Sequence, residues 1–329
     1  MEHRRIDIWN KEEYKYPAAY GFKPNLRTYL HDDEEIRPCM IVVPGGGYCM
    51  VVSPEAEIVA KEFYNRGMNA LVLTYTTDIT TSVPLKDQPL KDISRAVRLV
   101  RAQSEELRIN PSKITVCGFS AGGHVCATLS THFEDVKDSD EKLDVISNRP
   151  DAAILSYPVI SCVADTHEYS VWSLLGKNPS KEDLEYYSAE LNVKEDTPPT
   201  FIWQTVDDNL VPSINSFLYA KACKDKGVEL AYYAFPHGFH GLSVANEDFL
   251  KGNFGEPYTF EQLDLAIDNV KKNTAYNISE ERREELLKQF PDKTEDEGEA
   301  PAMPEPVIPN DVAMWPSLAE IWLKDNELL

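Results

Sequence analysis

The sequence predicts an α/β fold, a doubly wound and mostly parallel sheet with helices on both faces, from three observations. Short apolar, β-branched runs alternate with amphipathic helical segments between Cys39 and Phe235. The central runs, such as Cys39-Met40-Ile41-Val42-Val43, are continuously apolar, as strands covered on both faces must be. Two glycine clusters, 44–48 and 118–124, each follow such a run directly, and sites on open α/β sheets form where loops leave the carboxyl ends of strands.

The elements follow in order. Polar and apolar residues alternate in 4–9 and again in 26–30, after the Pro24-Asn25 turn signal, which predicts two half-buried outer strands. The strand 39–43 ends abruptly in Pro44-Gly45-Gly46-Gly47-Tyr48. A helix over 56–65, closed by Gly67, leads to a buried strand over 69–75. Ile93, Ala96, Val97 and Val100 recur at helical spacing within 90–107, and the strand 114–117 and buried helix 121–131 follow. Strands at 152–157, 200–204 and 228–235 alternate with helices at 181–191 and 213–226, the latter stopped by Gly227. This pattern predicts one domain over 1–329, interrupted by an insertion at about 245–310. Within the insertion, Thr259-Phe260-Glu261-Gln262 reads as a capping box, 278–290 as a second helix, and the acidic, proline-rich 291–309 as an extended or disordered linker.

Chemistry concentrates at Gly118-Phe119-Ser120-Ala121-Gly122, where a strand gives way to a helix across almost no loop. Such a turn strains the central backbone, and glycines two places to either side remove the side chains that would clash. Ser120 would then stand above the sheet edge with a helix N-terminus behind it, the arrangement of a nucleophile elbow. An ordinary βα turn has the same five-residue pattern, so the remainder of a triad decides between them. The run Gly45-Gly46-Gly47 would bring bare amides to an oxyanion, although alone it fits a flexible hairpin equally well. Asp207 and Asp208 end the strand 200–204, where an orienting carboxylate is wanted, and an aspartate there can also cap the helix beginning near Pro212. His237 and His240 lie in the glycine-flanked loop after the last strand, giving the chain order Ser, Asp, His.

Composition narrows the partners. With 33 Lys and Arg against 55 Asp and Glu, the net charge of −22 repels nucleic acid and anionic membranes and favours a neutral or cationic small molecule. No apolar run approaches the roughly 20 residues of a membrane span, and residues 1–7 lack the apolar core of a secretory signal, so a cytoplasmic location is expected. Six cysteines stand singly in apolar segments, which predicts reduced core residues and neither disulfides nor a zinc site.

Taken together, PGGGY (44–48), GFSAGGH (118–124), LLG (174–176), TPPTFIWQT (197–205), DDNLVP (207–212) and HGFHGL (237–242) resemble an α/β-hydrolase of the bacterial acetyl esterase and acetyl-xylan esterase type. The resemblance runs from about residue 38 to 243 and resumes in a closing helix at 312–323; the insertion departs from it. It implies Ser120 as nucleophile, His240 as general base, Asp207 as orienting acid, and the amides of Gly46, Gly47 and Ala121 as oxyanion donors. It further implies hydrolysis of a short acyl ester, acetyl above all, on a sugar or xylo-oligosaccharide, with no metal or organic cofactor. Tyr48, Trp172 and Trp203 are aromatic candidates for the pocket wall. An amidase or peptidase using the same triad, or a non-catalytic binding protein on the same fold, are the competing readings, and a homo-oligomer is the macromolecular partner left open.

Overall fold

In the computed structural model, which describes residues 1–292 and 309–329, eight strands form a single sheet in the order β1-β2-β4-β3-β5-β6-β7-β8. The strands are β1 (Arg5–Asp7), β2 (Asn25–Tyr29), β3 (Arg37–Val43), β4 (Asn69–Thr74), β5 (Ile109–Phe119), β6 (Ala152–Ser156), β7 (Thr200–Thr205) and β8 (Leu230–Phe235). β2 pairs antiparallel with β1 and β4, and all pairs from β4 to β8 are parallel. Helices α1 (Glu57–Asn65), α2 (Gln88–Ala102) and α3 (Ala121–His132) lie in the first half of the chain, followed by the short α4 (Glu141–Asp144). Then come α5 (Glu168–Leu175), α6 (Lys181–Tyr186), α7 (Ile214–Lys226), α8 (Glu247–Leu250), α9 (Glu261–Lys271), α10 (Glu280–Gln289) and α11 (Trp315–Asp325).

Strand periodicity sorts the core into two layers. Ile41 and Val43 of β3 pack with α2, α3 and α7 through Val97, Val125 and Tyr219. Met40 and Val42 point the other way and pack with α1 and α11 through Val59, Phe63 and Trp315. Every residue of β4, β6 and β7 is buried, as continuously apolar strands require. All six cysteines are free and buried, and no described helix is long and apolar enough to cross a membrane.

Three expectations need correction. β2 is not half-buried: four of its five residues are buried, Tyr29 packs into the layer of α1, and its hydroxyl lies 2.8 Å from that of Tyr258 in the turn before α9. The helix expected over 90–107 stops at Ala102, because Ile109 pairs with Arg37 and β5 begins there, before the Asn110-Pro111 that reads as a break. The capping box at Thr259 does not form. α9 lacks a side-chain cap, the Thr259 hydroxyl is buried without a partner, and Gln262 instead bonds the amide and carbonyl of Thr77. The expected linker falls almost wholly on 293–308, outside the described residues.

The ordered insertion builds a third, smaller core. Leu263, Ile267 and Val270 of α9 and Leu286 of α10 close over Ile79 and over Cys49 of the loop after β3. Arg282 fastens it by donating to the Ile79 carbonyl at 2.8 Å and to the Tyr169 hydroxyl at 2.8 Å.

Candidate active site

Ser120 follows β5 and precedes α3 with φ 52° and ψ −119°, a conformation that a side chain tolerates only when its surroundings enforce it. Its amide donates to the Ser156 carbonyl at 3.0 Å, and its carbonyl accepts from the amides of His124 and Val159, so three neighbouring segments hold the turn. The flanking glycines are obligatory. A Cβ on Gly122 would sit 2.0 Å from the Val43 carbonyl oxygen, and one on Gly118 would sit 2.4 Å from that of Gly122. Gly122→Ala is therefore expected to destabilise the fold by about 3 kcal/mol or more and to lower activity with it. A thermal melt within experimental error of wild type would contradict this packing.

The loop after β8 brings His240 Nε2 to 2.8 Å from Ser120 Oγ. On the other side of the ring, Nδ1 donates to Asp208 Oδ2 at 2.8 Å, which leaves Nε2 as the acceptor for the serine hydroxyl. The Asp208 side chain is wholly buried and that of His240 nearly so. Burial opposes ionisation of Asp208. The hydrogen bond and charge of His240, with the amides of Leu210 and Val211 on Oδ1, outweigh burial and hold the carboxyl below its ordinary range.

The carboxylate bonded to His240 is thus Asp208, and not the Asp207 that the resemblance implied. The chain turns at Val206-Asp207, which leaves both of those residues exposed and carries the Asp208 side chain inward. Asp207 instead accepts from the Gly238 amide at 2.7 Å and lies 3.1 Å from Nδ1 of the exposed His237. The His237 contact, foremost, holds its carboxyl below the usual range. Asp208 does not cap α7, whose N-cap position Ser213 makes no side-chain cap bond; its Oδ1 accepts from the amides of Leu210 and Val211 in the turn before the helix.

Gly46 and Gly47 line a cavity of about 650 Å³ over Ser120 and His240. Gly46 takes φ 126°, and a Cβ there would lie 2.2 Å from the Met50 carbonyl oxygen, so only glycine permits this loop. No described residue accepts a hydrogen bond from the amides of Gly46, Gly47 or Ala121. They stand where the two loops flank the serine.

Two of the three aromatic candidates are core residues. Trp203 is fully buried, stacks on Trp315 with ring centroids 5.2 Å apart, and donates its indole N–H to Ser156 Oγ at 2.8 Å. Tyr48 is buried beneath the glycine loop, its hydroxyl 2.5 Å from His124 Nδ1. His124 Nε2 donates to the Tyr187 carbonyl at 2.7 Å, and burial pushes its pKa down to about 4, so the ring is neutral and structural. Trp172 lines an adjoining groove and not the cavity over Ser120.

Four residues of the site escape sequence reasoning. Glu55, buried at the cavity wall, accepts from the Gly45 amide at 2.7 Å and from the Tyr157 hydroxyl at 2.8 Å. Burial pushes its carboxyl up, against the opposing pull of those donors and of His240. Tyr157 in turn accepts from the Ser243 amide at 2.9 Å and sets its ring against His240, centroids 4.9 Å apart. His167 and Gln289 also line the cavity. The only signal for Glu55 is an acid standing close to the glycine cluster in an otherwise apolar stretch, and Gln289 arrives from the insertion, which carries no motif.

This sheet, elbow and Ser120–His240–Asp208 hydrogen-bonded line define an α/β-hydrolase. The chain belongs to the BD-FAE family, which it matches over residues 26–222. Among its relatives, an endo-1,4-beta-xylanase B of Butyrivibrio fibrisolvens is 56% identical over 78% of this chain and 41% of that protein. An acetylxylan esterase of Xylanibacter ruminicola is 32% identical over 67% of this chain and 44% of its own. The chain thus spans less than half the length of these two relatives. The crystal structure of an acetyl ester-xyloside bifunctional hydrolase from Caldicellulosiruptor lactoaceticus is 38% identical, covers 80% of this chain and 97% of that one, and has a TM-score of 0.70.

Proposed function

We propose that the protein is a serine esterase that removes acetyl groups from acetylated xylo-oligosaccharides through an acyl-enzyme. The observation that carries this reading is the line Ser120 Oγ, His240, Asp208, each contact 2.8 Å long, beside Gly46 and Gly47, whose amides have no acceptor among the described residues. Ser120 Oγ attacks the ester carbonyl as its proton passes to His240 Nε2, and Asp208 stabilises the imidazolium that forms. The carbonyl oxygen becomes an oxyanion facing the amides of Gly46, Gly47 and Ala121, each such donor contributing about 3 kcal/mol to the transition state. The imidazolium returns the proton to the departing sugar oxygen, leaving acetyl-Ser120. Water, deprotonated by His240, then releases acetate and restores the serine. Asp207, His237 and Glu55 transfer no proton in this mechanism.

Acetyl and xylan are supported by the printed activities of the acetylxylan esterase and the acetyl ester-xyloside hydrolase to which the chain is similar. Ester cleavage itself is supported by the geometry above. Specificity constants on acetyl, butyryl and octanoyl esters of one alcohol, beside an aminoacyl amide, test both parts. The acetyl ester is expected to be hydrolysed about tenfold faster than the octanoyl, a difference of about 1.4 kcal/mol in activation free energy. Faster octanoyl hydrolysis would remove the acetyl assignment, and preference for the amide would make the protein an amidase.

A further inference from the structure

The cavity over Ser120 is one end of a longer trough. His167 and Tyr169 form its wall and also the wall of a second, more open groove of about 790 Å³. Trp172, Gly176 and Lys177 of that groove border a third of about 280 Å³, whose far side is Arg282 and its neighbours on α10. Three depressions sharing walls in this way lead from the nucleophile, along α5, to the insertion.

The lining of this trough is specific in kind. Trp172 is half-exposed, packs edge-on against Tyr169 with centroids 6.0 Å apart, and carries the Lys177 ammonium 4.5 Å over its ring. Tyr169 is held by the Arg282 guanidinium at 2.8 Å, so the aromatic ridge is fixed by two elements before any ligand arrives. Hydrogen-bonding side chains, among them His167, Glu168 and Lys177, line the same groove. An aromatic face flanked by donors and acceptors matches a sugar ring, which presents apolar C–H faces and hydroxyl edges in alternation. A small aryl or alkyl ester bound at Ser120 would leave the outer two grooves empty. The net charge of −22 disfavours polyanions and leaves a neutral polyol unopposed.

We infer that the trough from His167 to Arg282 is a set of subsites for the neutral pentose chain beyond the acetylated residue, with Trp172 as its stacking platform. This rests on the esterase reading above and adds to it that recognition reaches well past the ester, so that longer oligosaccharides are preferred substrates. Trp172 is a binding residue in this scheme, and Tyr169 and Arg282 position it.

Two measurements separate this inference from the reading beneath it. In the Ser120→Ala protein, xylohexaose free of acetyl groups is titrated by calorimetry, with and without Trp172→Ala. Saturable binding that Trp172→Ala weakens about tenfold is expected, the scale of one lost aromatic platform. In the protein with Ser120 intact, kcat/KM is compared on 4-nitrophenyl acetate and on acetylated xylohexaose. Trp172→Ala should lower the second about tenfold more than the first, mainly through KM, and Trp172→Phe should recover part of the loss. No binding of xylohexaose at millimolar concentration, or equal losses on both substrates, would overturn the subsites. Failure of the esterase reading would appear elsewhere, as absent turnover of 4-nitrophenyl acetate.

Discussion

Ser120→Ala is expected to lower ester hydrolysis by roughly 10⁵- to 10⁶-fold while leaving the melting temperature within a degree or two of wild type. The hydroxyl lies 2.8 Å from His240 Nε2 and has no other role among the described residues. Removing it deletes one oxygen at the cavity floor and opens no void in either packed layer. The backbone at φ 52° is held by Ser156, His124 and Val159 whichever side chain is present. Turnover of a purified, folded variant within tenfold of wild type would show that another group attacks the ester.

The second large effect separates the two neighbouring aspartates. Asp208→Asn should reduce kcat by about 10⁴-fold, since an amide facing Nδ1 favours the tautomer that cannot accept the serine proton. Asn retains the Oδ1 acceptor for Leu210 and Val211, so the turn before α7 should survive. Asp207→Asn alters an exposed contact with His237 and should change kcat only a few-fold. Steady-state kinetics and melting curves on both variants decide the matter, and a collapse confined to Asp207→Asn would restore the assignment that the resemblance implied.

The two aspartates mark where legibility in the sequence ends. Buried strands were readable because a strand covered on both faces must be apolar throughout, as 39–43 and 200–204 are, and the elbow was readable because its glycines answer a steric demand local to five residues. Which member of an adjacent pair faces inward depends on how the chain leaves β7, a half-turn that no residue type records. Tyr48 and Trp203 were misplaced for the same reason: both flank motifs, yet their side chains point into the layers beneath. The docking of the insertion depends on Leu286 and Arg282 meeting Ile79, about two hundred positions earlier in the chain, where periodicity carries no information.

Glu55 has a consequence for how such a site can be rebuilt. One oxygen of its carboxyl group secures Gly45, beside the amides of Gly46 and Gly47, and the other secures Tyr157, which in turn secures Ser243 behind the His240 loop. Ser243 also donates its hydroxyl to the Pro54 carbonyl and accepts the Trp315 indole N–H on its own carbonyl, extending the chain of contacts to α11. The glycine loop and the loop that carries His240 are therefore a single cassette. Loop grafting between relatives, or directed evolution that randomises either loop alone, would strand a buried carboxylate or a buried phenol without its partner. Transplanting the specificity of one such hydrolase onto another requires moving Glu55, Tyr157 and Ser243 with the glycine loop as one inheritance.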